Sequence, residues 1–296
     1  MNKMLCLCLF LFLLVACGDS EYPKIESSGP LVVPTIDNIY LPSADGEYVM
    51  DDGIVLVDYS NCDYGYVMAK TQTSDHSRIK IRISKDDEEY TYDLSTDERY
   101  ITYPLNMGSG EYNVKVYENI EGSSYALINS EWFYVELIDD LYPYLYPSII
   151  VDYDVESKAV KKSFSLCKGK TTEIERVHAI YRWITKNIDY DYDKLDDIRA
   201  KYVLPDLDRT LNTNKGTCFD YAGLMTCMLR VQQIPCKVIT GYVEQGYHAW
   251  VEVYIKDVGW INPSIYFESE SWTRIDPTFD SMSGDYDGSY ENVYEY

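Results

Sequence analysis

Between residues 31 and 138 the apolar positions fall in short runs: Gly53-Ile54-Val55-Leu56-Val57, Tyr66-Val67-Met68-Ala69, Ile79-Lys80-Ile81-Arg82-Ile83, Tyr112-Asn113-Val114-Lys115-Val116-Tyr117 and Trp132-Phe133-Tyr134-Val135-Glu136-Leu137. Gly, Asp and Asn punctuate them. Alternation with period two marks half-buried strands, and turn residues between short runs mark their ends. Several such strands without a convincing helix predict an all-β sandwich of immunoglobulin-like type over 31–138.

The pattern changes after the Tyr- and Pro-rich stretch 141–148. Ile174, Val177, Tyr181, Ile184 and Ile188 recur at helical spacing, and Thr172 with Glu175 offers a capping box at the start of that helix. A second helical run follows Cys218, with Ala222, Gly223, Met225, Met228 and Leu229 making an apolar face. Then come two strand-like runs, 237–243 and 248–255, joined by the turn 244–247. In the second run Ala249, Val251, Val253 and Ile255 face one way, and His248, Trp250, Glu252 and Tyr254 the other. A third short run, 272–275, ends at Asp276. Residues 145–296 therefore read as an α+β domain.

These elements place three reactive groups in order. Cys218, within Gly216-Thr217-Cys218-Phe219-Asp220-Tyr221-Ala222, stands at the start of a helix, where unpaired amides and the positive helix end favour a thiolate. His248 projects from a strand, and Asp276 ends a neighbouring one. A thiol, a base to take its proton and a group to fix that base are what acyl transfer requires.

The Gly-x-Cys-x-Asp-Tyr-Ala signature at 216–222, the helix ending Tyr181-Arg182-Trp183-Ile184-Thr185-Lys186-Asn187-Ile188-Asp189-Tyr190, and Ile234-Pro235 leading into Gly241-Tyr242 carry a resemblance. Over about 145–280 the chain resembles the transglutaminase-like superfamily, relatives of papain-type cysteine proteases. The resemblance implies an α+β papain-like core with Cys218 as nucleophile, His248 as general base and acid, and Asp276 as the residue that orients the imidazole. Many relatives place an Asp-Pro pair about fifteen residues after the histidine, where this chain has Asn262-Pro263, so Asn262 is a rival. Asp276 is preferred because Trp272-Thr273-Arg274-Ile275-Asp276-Pro277-Thr278 repeats the expected strand, with 261–271 as an insertion.

At the N-terminus, Met1-Asn2-Lys3 precedes 13 apolar residues, Met4 to Ala16, then Cys17-Gly18-Asp19. That run is too short for a membrane span of roughly 20 residues and reads as a signal peptide, 1–16. Leu14-Val15-Ala16-Cys17 resembles a bacterial lipobox, which implies a lipidated Cys17, a tether over 17–30 and an extracytoplasmic location anchored to a bacterial membrane. Of eight cysteines, removing Cys6, Cys8 and Cys17 leaves Cys62, Cys167, Cys218, Cys227 and Cys236. That odd number fits one reactive thiol and up to two disulfides, with Cys227 and Cys236 expected in the core.

A formal charge of −23 argues against nucleic-acid binding. His178 lies off the apolar stripe of its helix and reads as a surface or packing residue. Asp189-Tyr190-Asp191-Tyr192-Asp193 invites a calcium loop, but Lys194 and Ala200 occupy the positions of its glycine and closing glutamate, so a solvated acidic turn is expected. Neither a metal nor another cofactor is expected. The predicted partner is a peptide or protein substrate of cell-wall or host origin, and the predicted reaction is thiol-dependent acyl transfer, with hydrolysis favoured over cross-linking. A reading of another class, a non-catalytic adhesion or scaffold protein, rests on the 31 tyrosines.

Overall fold

The computed structural model describes residues 34–72, 78–194, 203–243, 246–263 and 291–296. Two four-stranded antiparallel sheets come first. One has the order β1-β2-β3-β6, built from β1 (Val49–Asp51), β2 (Val55–Asp58), β3 (Tyr66–Thr71) and β6 (Ile101–Pro104). The other has the order β5-β4-β7-β8, from β4 (Ile79–Lys85), β5 (Glu88–Leu94), β7 (Gly110–Glu121) and β8 (Ser124–Val135). Alternation drives the second sheet: Ile79, Ile81 and Ile83 are fully buried, with Ile81 opposite Val116 and Ile83 opposite Val114. Strands β5 and β6 escape a sequence reading for different reasons. In the edge strand β5 the outward positions are acidic or polar (Glu89, Thr91, Asp93), while β6 is four residues ending in a proline, which only a sheet margin tolerates.

The segment between these sheets and the helices is tied down rather than loose. Ile138 donates its main-chain N–H to Asp63, and Ile149 donates to Thr102 at 2.8 Å. Gly65, at φ +80°, lies against Pro143, where a Cβ would come within 2.5 Å of the ring. One apolar core runs from Val57, Ile81 and Val114 through Ile150 and Val151 to the helices.

Among the described residues four α-helices follow: α1 (Lys158–Cys167), α2 (Glu173–Asn187), α3 (Leu207–Thr213) and α4 (Cys218–Arg230). The capping box of α2 is formed, with the Glu175 carboxylate accepting from the N–H groups of Thr171 and Thr172. Helix α4 is buried from Asp220 to Arg230 on every side. Such a helix is a core element, which is why its apolar residues show no narrow stripe. Helices α1, α2 and α3 pack on it, as do β11 (Cys236–Val243) and β12 (Gly246–Ile255). The sheet beneath it has the order β13-β12-β11-β14, with β13 (Gly259–Ile261) and β14 (Glu291–Glu295) at its margins. A short parallel pair, β9 (Asp189–Tyr190) with β10 (Lys215–Gly216), leads into α4.

Arg230 ends α4 and is 1% exposed. Its guanidinium donates to main-chain oxygens of Tyr146 (2.6 Å), Cys236 (3.0 and 2.8 Å) and Tyr296 (3.0 Å). Four donors meeting three acceptors make this burial tolerable.

The five described cysteines are free thiols, so the disulfides that their number allows are not formed. Cys227 and Cys236 are buried in the core, and the Cys236 sulfur lies 3.3 Å from the Thr226 hydroxyl instead of another sulfur.

Candidate active site

Cys218 is the first residue of α4 and is partly exposed, while Cys167, Cys227 and Cys236 are buried. Thr217 is the extended N-cap and forms a capping box with Asp220. The Asp220 carboxylate accepts from the Thr217 main-chain N–H at 2.9 Å and from its hydroxyl at 3.0 Å. Gly216 is dictated by space, since a Cβ there would lie 2.8 Å from Asp220 Cβ and 3.2 Å from Thr210 Cγ2. The resulting helix end points its first amides and its dipole toward the thiol, which favours the thiolate.

Asp220 is fully buried and its second partner is Lys194, whose ammonium sits 2.6 and 2.7 Å from the two carboxylate oxygens. Lys194 is itself only 8% exposed. Three residues before Lys194, Asp191 accepts from Arg209 on α3 at 2.7 Å. Burial acts to raise the Asp191 carboxyl, but the hydrogen bond and charge of Arg209 bring it below the ordinary carboxylate range. The expectation of a solvated acidic turn at 189–193 is thereby corrected for Asp191, while Asp189 and Asp193 are exposed. Asp191 and Lys194 are buried because each finds an ion-pair partner, whereas Tyr192 and Asp193 do face solvent. Among the described residues no cluster of His, Cys, Asp or Glu could hold a metal ion.

His248 lies on β12 and is partly buried, its ring 6.3 Å from that of Trp250 two residues on. The alternation expected from the sequence is present, with Ala249, Val251, Val253 and Ile255 buried. Opposite His248 stands Gly241 of β11, which presents no side chain to crowd an imidazole. The pairing of β11 with β14 shifts register between Thr240 and Gly241, at that same place. Bulges of this kind re-aim side chains beside active sites.

Helix α4 packs on β12, where Tyr247 precedes His248. The Tyr247 phenol donates to the Thr240 hydroxyl at 2.7 Å. Burial raises its pKa against that hydrogen bond, and Tyr294, Tyr242 and the Cys218 thiol add to the rise. The residue before His248 is thus an electrostatic neighbour of Cys218. Sequence reasoning treated Tyr247 as a turn residue and missed it; the tyrosine directly before the histidine was the available signal.

His178, on α2, is half-buried, and burial followed by Arg182, Lys170 and Lys186 lowers its pKa. Asn262 follows β13, one position past Ile261, which pairs with Val253. That register carries Asn262 level with Glu252, four residues along β12 from His248. Asp276 and Cys17 lie outside the described residues.

Residues 161–277 match the family model of the transglutaminase-like superfamily. This chain carries a transglutaminase-like domain. The matched span holds Cys218, His248 and Asp276, and ends one residue past the last of them. Mouse kyphoscoliosis peptidase is 35% identical over 98 residues, which are 29% of this chain and 14% of that protein. A UPF0252 protein of Methanocaldococcus jannaschii is 32% identical over 108 residues, 34% of this chain and 27% of that one. The chain therefore matches only about a seventh of the length of the first of these relatives and about a quarter of the second. Among solved structures, a candidate cysteine protease of Cytophaga hutchinsonii is similar over 67% of this chain and 77% of its own, at 18% identity and a TM-score of 0.37. Red sea bream transglutaminase is similar over 75% of this chain and 50% of its own, at 13% identity and a TM-score of 0.29.

Proposed function

We propose that the transglutaminase-like domain performs thiol-dependent acyl transfer on peptide or protein amides, with Cys218 as nucleophile, His248 as base and acid, and Asp276 orienting the imidazole. The observation that carries this reading is a partly exposed cysteine on the first turn of an otherwise buried helix that packs on the strand bearing the histidine. His248 takes the Cys218 proton, and the thiolate attacks the amide carbon. A C–S bond forms, and the oxyanion is received by the Cys218 main-chain N–H. His248 then protonates the leaving amine as the C–N bond breaks, leaving a thioester. Water, deprotonated by His248, attacks that thioester and the thiolate departs. Hydrolysis is favoured over cross-linking because water needs no second binding site beside the thioester.

The lipobox-like sequence assigns this chemistry to the outer face of a bacterial membrane, with Cys17 lipidated. In the same reading, residues 31–138 are an immunoglobulin-like sandwich standing between the lipid tether and the catalytic domain.

The test is incubation with amide-containing peptides and a labelled primary amine, analysed by mass spectrometry. Cleaved peptide without incorporated amine supports hydrolysis, amine incorporation supports transfer, and Cys218→Ala abolishes both. Activity that survives Cys218→Ala overturns the reading. Trp132 and Tyr134, 60% and 69% exposed on β8, favour a second reading as a binding module. Inertness of wild type toward every amide, together with an unreactive Cys218, would leave that reading in place.

A further inference from the structure

A capping box joined to a buried ion pair raises an electrostatic question about the Cys218 helix. An acidic residue on the first turn stabilises a helix, but its charge opposes the helix end that favours a thiolate two residues away. Asp220 is such a residue, and it is fully buried, where its field is screened little by solvent. A glutamine side chain would serve a capping box without charge. Here the carboxylate is kept and a lysine from 26 residues upstream is brought onto both of its oxygens. On its other side the same carboxylate holds the Thr217 N–H and hydroxyl.

We propose that Lys194 is a positioning residue for Cys218: it clamps Asp220 on the first turn of α4 and cancels its charge, so that the helix end stays electropositive beneath the thiol. The proposal rests on the reading of Cys218 as a nucleophile that works as thiolate. The other charged or titratable groups near this pair are Arg209 on α3, bonded to Asp191 and within the field of Asp220 and Asp206, Lys215 on β10, paired with Asp193, and Tyr247 on β12, an electrostatic neighbour of Cys218. Arg209 is committed to Asp191 at 2.7 Å, so Lys194 is the cation bound to the Asp220 carboxylate itself.

The experiment is the pH dependence of Cys218 alkylation by iodoacetamide in the full chain, followed by peptide mapping. In Lys194→Met the apparent thiol pKa is expected to rise by about one unit, slowing alkylation near pH 7 by about tenfold. Lys194→Arg, which keeps the charge, is expected to retain the wild-type profile. The Lys194→Met/Asp220→Asn double variant has neither charge nor ion pair, and its profile is expected to return to that of wild type. A purely structural role predicts that the double variant is as impaired as the single one, and that result overturns the proposal. An unmoved profile in Lys194→Met overturns it too. Where the single variant does not fold, the double variant decides in the same way. Wild-type Cys218 titrating as an ordinary thiol, near 8.5, overturns the nucleophile reading itself; a depressed wild-type pKa with an unmoved variant overturns the proposal alone.

Discussion

The guanidinium of Arg230 lies 2.6 Å from the main-chain oxygen of Tyr146, 84 residues away in the chain. The last turn of the cysteine-bearing helix is thereby fastened to the segment that leaves the two N-terminal sheets. Because the same side chain also holds Cys236 and Tyr296, three parts of the fold depend on one charge.

Replacing Arg230 with methionine keeps length and bulk but strands the main-chain oxygens of Tyr146 and Cys236 in the core, while that of Tyr296 keeps the Val238 N–H at 2.9 Å. Each unpaired buried acceptor costs about 1–3 kcal/mol. For two stranded acceptors the total loss is expected to be about 2–5 kcal/mol. Urea unfolding followed by tryptophan fluorescence measures it, and a loss below about 1 kcal/mol contradicts the role given to Arg230.

Iodoacetamide in limiting amount at pH 7 is expected to label Cys218 before any other described cysteine. Burial pushes the Cys167 thiol up to about 11 and that of Cys236 to about 12, drives Cys227 higher still, and raises Cys62 as well. At pH 7 a thiol titrating near 11 is thiolate in about one molecule in ten thousand. Peptide mapping of the first-labelled site decides the matter, and early labelling of Cys62 instead would remove the argument for an activated Cys218.

Stability is expected to depend on pH through Asp191. Its folded pKa lies below the unfolded value of about 3.9. Its contribution is therefore present above that value and is lost as pH falls through the folded pKa. The stability deficit of Asp191→Asn is expected to be constant from about pH 5 to 7 and to shrink below about pH 4. Urea midpoints at a series of pH values report this; a deficit that persists unchanged at pH 2.5 would mean the Arg209 contact is not ionic in origin.

Asp276→Ala is expected to lower kcat/KM by at least about a hundredfold with folding intact, because an unoriented imidazole takes the wrong tautomer and an unpaired imidazolium is costly. Asn262→Ala is expected to change kcat/KM by less than about threefold, since its register places it beside Glu252 rather than His248. The reverse ranking would rewrite the orienting residue as Asn262.

Helix α2 was legible because its cap and its period are local: Thr172 and Glu175 are three apart, and Val177, Tyr181 and Ile184 fall on one side. The strands around His248 were legible for the same reason, period two against buried Ala249, Val251 and Val253. The start of α4 was visible from Gly216 and Cys218, yet the role of Asp220 was not. Lys194 reaches it across 26 residues, and neither propensity nor periodicity encodes such a pair. The trace in the sequence was a charged residue placed between Cys218 and the apolar Ala222, in a helix whose surroundings bury everything. In the N-terminal sheets three strands were missed because their residues argue against them locally: β1 is three residues long, β5 is acidic and β6 ends in proline; β9, β10, β13 and β14 were missed as well, each five residues or fewer.

Strand β14 pairs with β11 from Glu291 to Glu295, and the Tyr296 ring meets Tyr90 edge-on and Tyr92 at a tilt in the second sheet, where Asn106 also donates to the Glu295 main-chain oxygen. Until residues 291–296 are synthesised, β11 is a bare margin, and its amides are open to any extended chain nearby. Closing so long a loop is slow relative to forming α2 or the β7–β8 hairpin. In the nascent chain the sheet under α4 therefore keeps one unprotected edge until residues 291–296 both seal it and lock it to the first sheets.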